Sequence, residues 1–205
     1  MRTSLAFLAA VAATVLVAGA TAARPAVTIS ASRPTVVYGG SVTLSGKVSN
    51  NNAGESVQVM ADAYPATTFS ALASPLTTTA GGNWTDTVTP NVQTSYQAHW
   101  KGATSRTVTV KVRPMITLSL VSLANGTFST KVTAARAFTG KFVNVQRLTR
   151  FGALTMKKVK LDSSSSATFH VRLHPGRNRL RVVMPTAQAA PGYIIGTSKV
   201  LRVTR

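Results

Sequence analysis

Basic side chains between residues 147 and 181 are the ones whose type and spacing could do chemistry in this sequence. Arg177, Arg179 and Arg181 alternate with Leu180 and Val182, which places three guanidinium groups on one face of a predicted β-strand. Guanidinium groups bind phosphates and carboxylates through paired hydrogen bonds. The same region holds six further candidate anion-binding residues, namely Arg147, Arg150, Lys157, Lys158, Lys160 and Arg172. If neighbouring strands merge these rows, the sheet presents a cationic face.

A solvated strand face is the alternative interpretation of the same residues. Charged side chains at sheet edges commonly prevent edge-to-edge pairing and bind nothing. The basic rows also lack interleaved aromatic residues, which bases of single-stranded nucleic acid need for stacking. We therefore do not expect a sequence-specific nucleic-acid partner.

The charge of the whole chain is strongly positive and unevenly distributed. There are 23 Lys and Arg against 4 Asp and Glu, a formal net charge of +19. Residues 23–113 carry seven basic and three acidic residues, whereas residues 114–205 carry fifteen basic residues and one acidic residue. Such a field attracts nucleic acid, anionic lipid or acidic wall polymer, although it also serves solubility alone.

Other chemistry finds little support. The acids Glu55, Asp62, Asp86 and Asp162 share no motif, and the chain contains no cysteine. His170 and His174 lie four residues apart, which in a strand of about 3.3 Å per residue separates them by roughly 13 Å, too far to chelate one metal ion. Residues 163–166 are four serines without a neighbouring base that could activate a nucleophile. We expect no enzyme, no metal and no cofactor.

The first 22 residues are typical of a secretory signal peptide. Arg2 supplies a positive charge, residues 5–18 are apolar except for Thr14, and Ala20 and Ala22 supply the small residues of a cleavage site. The apolar run is shorter than the ~20 residues that span a bilayer, so we favour cleavage after Ala22, or after Ala23 as the near alternative, over an uncleaved anchor. No other segment is apolar enough to span a membrane, and we expect a secreted protein that is either released or retained at the cell surface by its charge.

Two similar modules follow the leader, and short alternating segments with Gly and Pro turns predict that both are made of strands. Residues 108–113 form a strand that Pro114 ends, and residues 200–205 repeat that strand at the end of the sequence. Further correspondences appear in the same order, such as residues 140–145 with 54–59 and 197–203 with 104–110, and the longest insertion between them is the loop at residues 185–196. The pattern also predicts an irregular stretch over residues 61–80, a strand over residues 167–173 and a tight turn at Asn125 and Gly126. We predict two tandem antiparallel β-sandwiches, residues 23–113 and 114–205, which we call the first and the second module. Coincidence between generic β-patterns is the alternative.

At these residues the chain resembles the bacterial immunoglobulin-like domains that occur in tandem in exported proteins, especially of actinobacteria. The pattern Gly-x-x-Val-x-Val at 54–59 and 140–145, the Gly-Asn-Trp at 82–84 and the closing strand carry the resemblance. The second module departs from it, with serines at 163–166 where a glycine turn is usual and Leu180 where the first module has Tyr96. The resemblance implies an all-β immunoglobulin-like sandwich used for adhesion, spacing, or contact with carbohydrate and wall, but no single activity.

Two functional hypotheses remain. In the first, the protein is a non-enzymatic binding or structural protein at the bacterial cell surface, and its basic second module contacts anionic wall polymer or lipid. In the second, the two modules are an accessory pair that binds another exported protein, and the charge is incidental. A polyanion complex should weaken steeply with salt, whereas a protein interface need not.

Overall fold

The computed structural model describes residues 24–205, so the predicted leader with Ala20 and Ala22 lies outside the described residues. In the first module, alternating segments form ten strands. They are β1 (Ser30–Ala31), β2 (Thr35–Val37), β3 (Val42–Lys47), β4 (Ser56–Ala63), β5 (Ser70–Ala71), β6 (Leu76–Thr77), β7 (Asn83–Val88), β8 (Thr94–Trp100), β9 (Ala103–Thr104) and β10 (Val108–Arg113). A single 3-10 turn, Ala80–Gly82, precedes β7.

The second module contains eight strands, which are on average longer. They are β11 (Met115–Ser122), β12 (Thr127–Thr133), β13 (Phe142–Thr149), β14 (Gly152–Lys160), β15 (Ser166–His170), β16 (Arg177–Met184), β17 (Gly196–Thr197) and β18 (Leu201–Thr204). One short helix, α1 (Thr186–Ala189), lies between β16 and β17. No helix within residues 24–205 is long and apolar enough to cross a membrane.

Both modules are immunoglobulin-like β-sandwiches, and their strand orders correspond except that the second module has no counterpart of β2. In the first module one sheet runs β1-β3-β7 and the other runs β2-β10-β8-β4-β5, with β6 and β9 as short additions. In the second module one sheet runs β11-β12-β15, and the other runs β14-β13-β16 and continues to β17 and β18. All pairings are antiparallel except β2 with β10, and the order matches the two-sheet arrangement of immunoglobulin domains.

The apolar residues of the alternating strands form the cores. Trp84, Tyr96 and Trp100 are buried in the first module, with side chains that alternate along β7 and β8. In the second module Phe128 and Phe169 stack with ring centroids 6.2 Å apart. Burial of such large rings is the main favourable contribution to folding, since each removes 150–250 Å² from water.

A buried serine marks the same position in both modules. The hydroxyl oxygen of Ser105 accepts a hydrogen bond from the amide of Ala98 at 2.8 Å, and that of Ser198 accepts one from the amide of Val182 at 2.9 Å. Each hydroxyl then donates to the carbonyl of the next residue, Arg106 or Lys199, at 2.9 Å. The two modules therefore repeat in hydrogen bonding as well as in strand order.

The loop at residues 185–196, which the sequence predicts as an insertion of the second module, packs against the first module. The Tyr193 hydroxyl donates to the carbonyl of Asn91 at 2.7 Å and accepts from the amide of Ala135 at 3.0 Å. The amide of Gln93 donates to the carbonyl of Gly192, and the amide of Ile194 donates to that of Val112. The loop thus fixes one module against the other with backbone bonds.

Some expectations need correction. Residues 61–80 are not wholly irregular, because β4 extends to Ala63 and two short strands pair with it. The predicted strand over residues 167–173 ends at His170. The turn predicted at Asn125 and Gly126 does connect β11 to β12, and Gly126 adopts a φ of 60° that favours glycine.

Candidate cationic face

Strand β16 positions the three arginines that alternate in the sequence. Arg177 and Arg179 are exposed and Arg181 is half-buried, whereas Asn178, Leu180 and Val182 point into the sandwich. Residues two apart on one face of a strand lie about 7 Å from each other. The guanidinium groups therefore form a row along the outer side of the sheet.

The register of the sheet adds cations from both neighbouring edges. Lys158 and Lys160 of β14 stand opposite Asn144 and Phe142 of β13, which face outward. On the other side, Arg202 of β18 stands directly opposite Arg179. Directly paired residues share a face, so six cations lie on one side of this sheet. We call this side the cationic face, formed by Lys158, Lys160, Arg177, Arg179, Arg181 and Arg202.

Few groups of the protein compensate this charge. The Nε of Arg181 donates to the side-chain oxygen of Gln146 at 2.9 Å, and the Nζ of Lys158 lies 4.4 Å from the centroid of the Phe142 ring. Within residues 24–205 the only ion pair joins Lys101 and Glu55 of the first module. The paired arginines Arg179 and Arg202 therefore repel each other without an acid between them.

The one acid of the second module is used by a turn. The carboxylate of Asp162 accepts hydrogen bonds from the amides of Ser164 and Ser166, at 2.8 and 2.9 Å, and from the Ser164 hydroxyl at 2.7 Å. The amide of Ser166 and the hydroxyl of Ser164 lower the pKa of Asp162, because they stabilise its charged form. The serines of residues 163–166 thus close the turn between β14 and β15.

Four of the nine predicted anion-binding residues lie elsewhere, and Arg147 is the clearest correction. Arg147 is 7% exposed, and one guanidinium nitrogen donates to the carbonyl of Arg172 at 2.6 Å, while its Nε has no hydrogen-bond partner among the described residues. It shares the parity of Val143 and Val145, which point into the core. The alternation of β13 therefore turns Arg147 toward the core and away from the cationic face.

The other three residues are exposed but face other directions. Lys157 stands opposite buried Val145, on the opposite side of β14 from the cationic face. Arg172 follows β15, which belongs to the other sheet of the sandwich. Arg150 lies at the tip of the β13–β14 hairpin, 4.5 Å from the ring centroid of Phe151. Phe151 is 86% exposed, which is unusual for so large an apolar side chain.

Groups that could support catalysis or bind metal are dispersed in the part of the chain that the structure describes. No three His, Asp or Glu side chains among residues 24–205 converge on a possible metal position. The Nδ1 of His170 lies 3.0 Å from the hydroxyl of Thr127, and Glu55 is bound by Lys101, Trp100 and Asn50. Within residues 24–205 the cationic face is therefore the cluster of charged groups that share a common direction.

Comparison of the chain with known proteins finds similar solved structures at low sequence identity. No family model and no curated protein matches it. A tetra-tandem repeat from the extending region of a large adhesion protein is similar with a TM-score of 0.37 and 12% identity, over 88% of this chain and 49% of that chain. The D0-D1 domain of intimin gives a TM-score of 0.32 and 16% identity, over 87% and 97%.

A C-terminal 282-residue fragment of intimin, solved in complex with the intimin-binding domain of the translocated intimin receptor, gives a TM-score of 0.42 and 14% identity, over 86% of this chain and 62% of that chain. The chain thus spans about half of the adhesion-protein repeat and less than two thirds of the intimin fragment. At these identities the likeness concerns the fold alone.

Proposed function

We propose that this chain is an exported, non-enzymatic binding protein that the cationic face holds against anionic polymer or lipid of a bacterial cell surface. One observation carries the proposal, namely that six cations and no acid occupy one face of a single sheet. Export rests on the leader predicted over residues 1–22. The module boundaries at 23–113 and 114–205 are part of the same proposal.

The chemistry of the face suits phosphate groups. Three of the six cations come from β16 at a spacing of about 7 Å, so a linear polymer lying along the strand would meet one guanidinium group after another. Arginine gives paired hydrogen bonds to each phosphate, which lysine does not. The surrounding field of the second module raises the local concentration of any polyanion.

Anionic lipid and anionic wall polymer share this phosphate chemistry, and the hairpin tip distinguishes them. Phe151 is exposed beside Arg150, and an aromatic ring with a neighbouring cation is suited to the boundary between headgroups and acyl chains. Insertion of Phe151 would add apolar burial to lipid binding. It would add nothing to binding of a water-soluble polymer.

The test measures binding of residues 24–205 to vesicles that contain phosphatidylglycerol and to poly(glycerol phosphate). We expect Arg179→Glu with Arg181→Glu to weaken both complexes at least tenfold, since each change removes a phosphate contact and adds repulsion. The buried Arg147→Leu change is the matched control and should leave both unchanged. Phe151→Ser should weaken vesicle binding alone if lipid is the ligand. Equal binding by the double variant and the unmodified protein would refute the proposal.

A protein partner, the second hypothesis from the sequence, is favoured by a different surface. That surface is an apolar groove between β11 and β18, on which the following inference rests.

A further inference from the structure

One difference between the topologies of the two modules concerns strand β2. In the first module β2 adds a parallel strand to β10, with Thr35, Val36 and Val37 opposite Lys111, Val112 and Arg113. Backbone bonds at 2.9 and 2.8 Å extend this pairing at both ends. Val36 is 4% exposed, so β2 also contributes a side chain to the core.

The second module has no equivalent of β2. Twelve residues separate the paired residues Ala31 and Leu44 of the first module, whereas seven separate Leu120 and Phe128, their counterparts in the second. The shorter connection turns back at Asn125 and Gly126 and has no room for a strand that crosses to the other sheet. The difference is therefore encoded by a shorter loop.

Strand β18 lacks the parallel partner that β2 gives to β10, and β11 is an edge strand in the same way as its counterpart β1. Strand β18 pairs with β16, and no other strand among residues 24–205 pairs with β18. Strand β11 likewise pairs with β12 alone within the described residues. An unpaired edge presents alternate N–H and C=O groups, which an additional strand can bind.

An apolar groove lies between these edges. It has a volume of about 630 Å³ and is lined by Val37 of β2, by the beginning of β11 (Met115, Ile116, Leu118) and by Val200 and Leu201 at the start of β18. Met115 is 40% exposed and Val37 is 47% exposed. The five residues of β11 that line it span about 14 Å, the length of four to five extended residues. Strand β2 pairs with the end of β10, at Lys111 to Arg113, whereas the groove is lined by residues at the start of β18.

Charge decides between the possible occupants. Lys199 lines the groove and Arg202 follows it on β18, while the only acid of the second module, Asp162, is bound in its turn. A second copy of this chain would bring its own Lys199 and Arg202 against these cations. Like charges at a sheet edge oppose such pairing, which disfavours the second copy.

We infer that this groove binds an extended, acidic segment of another protein, which adds a strand to the open edge of the second module. Its backbone would pair with β18 or β11, its apolar side chains would enter the groove, and its acidic side chains would face Lys199 and Arg202. Strand addition of this kind takes affinity from backbone bonds and specificity from alternate side chains. Arg202 also belongs to the cationic face, but the inference rests on the open strand edge and the apolar groove.

The test uses a blocked peptide of four Val-Glu repeats as the probe and residues 24–205 as the protein. Isothermal titration calorimetry compares it with the same peptide carrying N-methyl groups at alternate residues, which keeps the charge but removes backbone donors. We expect N-methylation to weaken binding at least tenfold. Met115→Glu and Val200→Glu should weaken it as strongly, whereas Val121→Glu, on β11 but outside the groove, should change it less than about twofold.

Three results would overturn the inference. The first is no binding of the unmodified peptide at millimolar concentration. The second is either of two signs that the groove is not used. Equal binding of both peptides would show that backbone donors are not needed. A loss of binding with Arg179→Glu but not with Met115→Glu would show that charge on the cationic face accounts for the complex. The third is a dimer in analytical ultracentrifugation that Met115→Glu dissociates, which would make a second copy the occupant.

Discussion

The hydroxyl of Tyr193 donates a hydrogen bond to the carbonyl oxygen of Asn91 at 2.7 Å and so joins a loop of the second module to the first. The same oxygen accepts a bond from the amide of Ala135, and the ring packs edge-on against Phe138 with centroids 5.7 Å apart. Tyr193 is 4% exposed, and its burial raises its pKa. The two modules are therefore joined by buried polar contacts as well as by the chain at Pro114.

Tyr193→Phe tests this connection. The change keeps the ring but leaves the Asn91 carbonyl and the Ala135 amide without partners, at a cost of about 1–3 kcal/mol in the free energy of unfolding. Denaturant titration measures that cost. Tyr64→Phe is the control, because Tyr64 is 43% exposed and its ring remains. A loss of less than about half a kcal/mol for Tyr193→Phe would show that the two bonds contribute little.

The repeated serines give a second prediction. Ser105→Ala and Ser198→Ala each remove the hydroxyl that accepts from a buried strand amide, so each should lower the free energy of unfolding by about 1–3 kcal/mol. Thermal and denaturant unfolding of the two variants should give similar losses. The exposed Ser119→Ala change on β11 serves as the reference. Strongly unequal losses would contradict the equivalence of the two positions.

Repulsion across the cationic face gives a third prediction. Arg179 and Arg202 are directly paired with no acid nearby, so Arg202→Gln should stabilise the fold by about 0.2–1 kcal/mol. The gain should shrink with added salt, because both groups reach solvent and are screened. Melting temperatures across a salt series measure it. If Arg202→Gln destabilises the protein at low salt, the pair does not repel in the way the register implies.

Glu55 gives a prediction for pH. Hydrogen bonds from Lys101, Trp100 and Asn50 lower the pKa of Glu55 in the folded state. As pH falls, the unfolded chain takes up this proton first, so the stabilisation is present above the ordinary carboxyl pKa of about 4.3 and is lost as pH falls through the folded pKa. Glu55→Gln should therefore be less stable than the unmodified protein near neutral pH, and this difference should vanish in acid.

Denaturant titrations at a series of pH values measure the difference. Lys111→Met is the control, since Lys111 is exposed and faces no acid in the described residues. A stability difference for Glu55→Gln that stays constant with pH would contradict the assigned contacts.

The sequence predicted most strands because alternation is a local property of the chain. Alternating apolar residues identify the inward face of a strand without any knowledge of its neighbouring strands. Examples are Val143 and Val145 on β13, and Leu180 and Val182 on β16. The same alternation places Arg147 on the inward face of β13, although its charge favours the surface. Among the described residues, one hydrogen bond to the carbonyl of Arg172 compensates part of the cost of burying this charge.

Pairing between distant strands could not be predicted in the same way. Arg202 joins the cationic face because β18 pairs with β16 in one register, and a shift of one residue would turn it to the other side. The open edge beside β18 and the contacts of Tyr193 also depend on non-local packing. The loop at residues 185–196 was recognisable as an insertion, but nothing local in its sequence indicates that it binds the first module.

The salt dependence of polyanion binding tests the central claim most directly. For residues 24–205 and poly(glycerol phosphate), the logarithm of the association constant should fall linearly with the logarithm of the salt concentration. The slope should be about −0.7 per phosphate contacted if the polymer behaves as a single strand. Arg179→Gln with Arg202→Gln should reduce that slope by about 1.4, while Arg147→Leu should leave it unchanged. A slope near zero, or one that the double variant does not alter, would contradict the assignment of the cationic face as the binding surface.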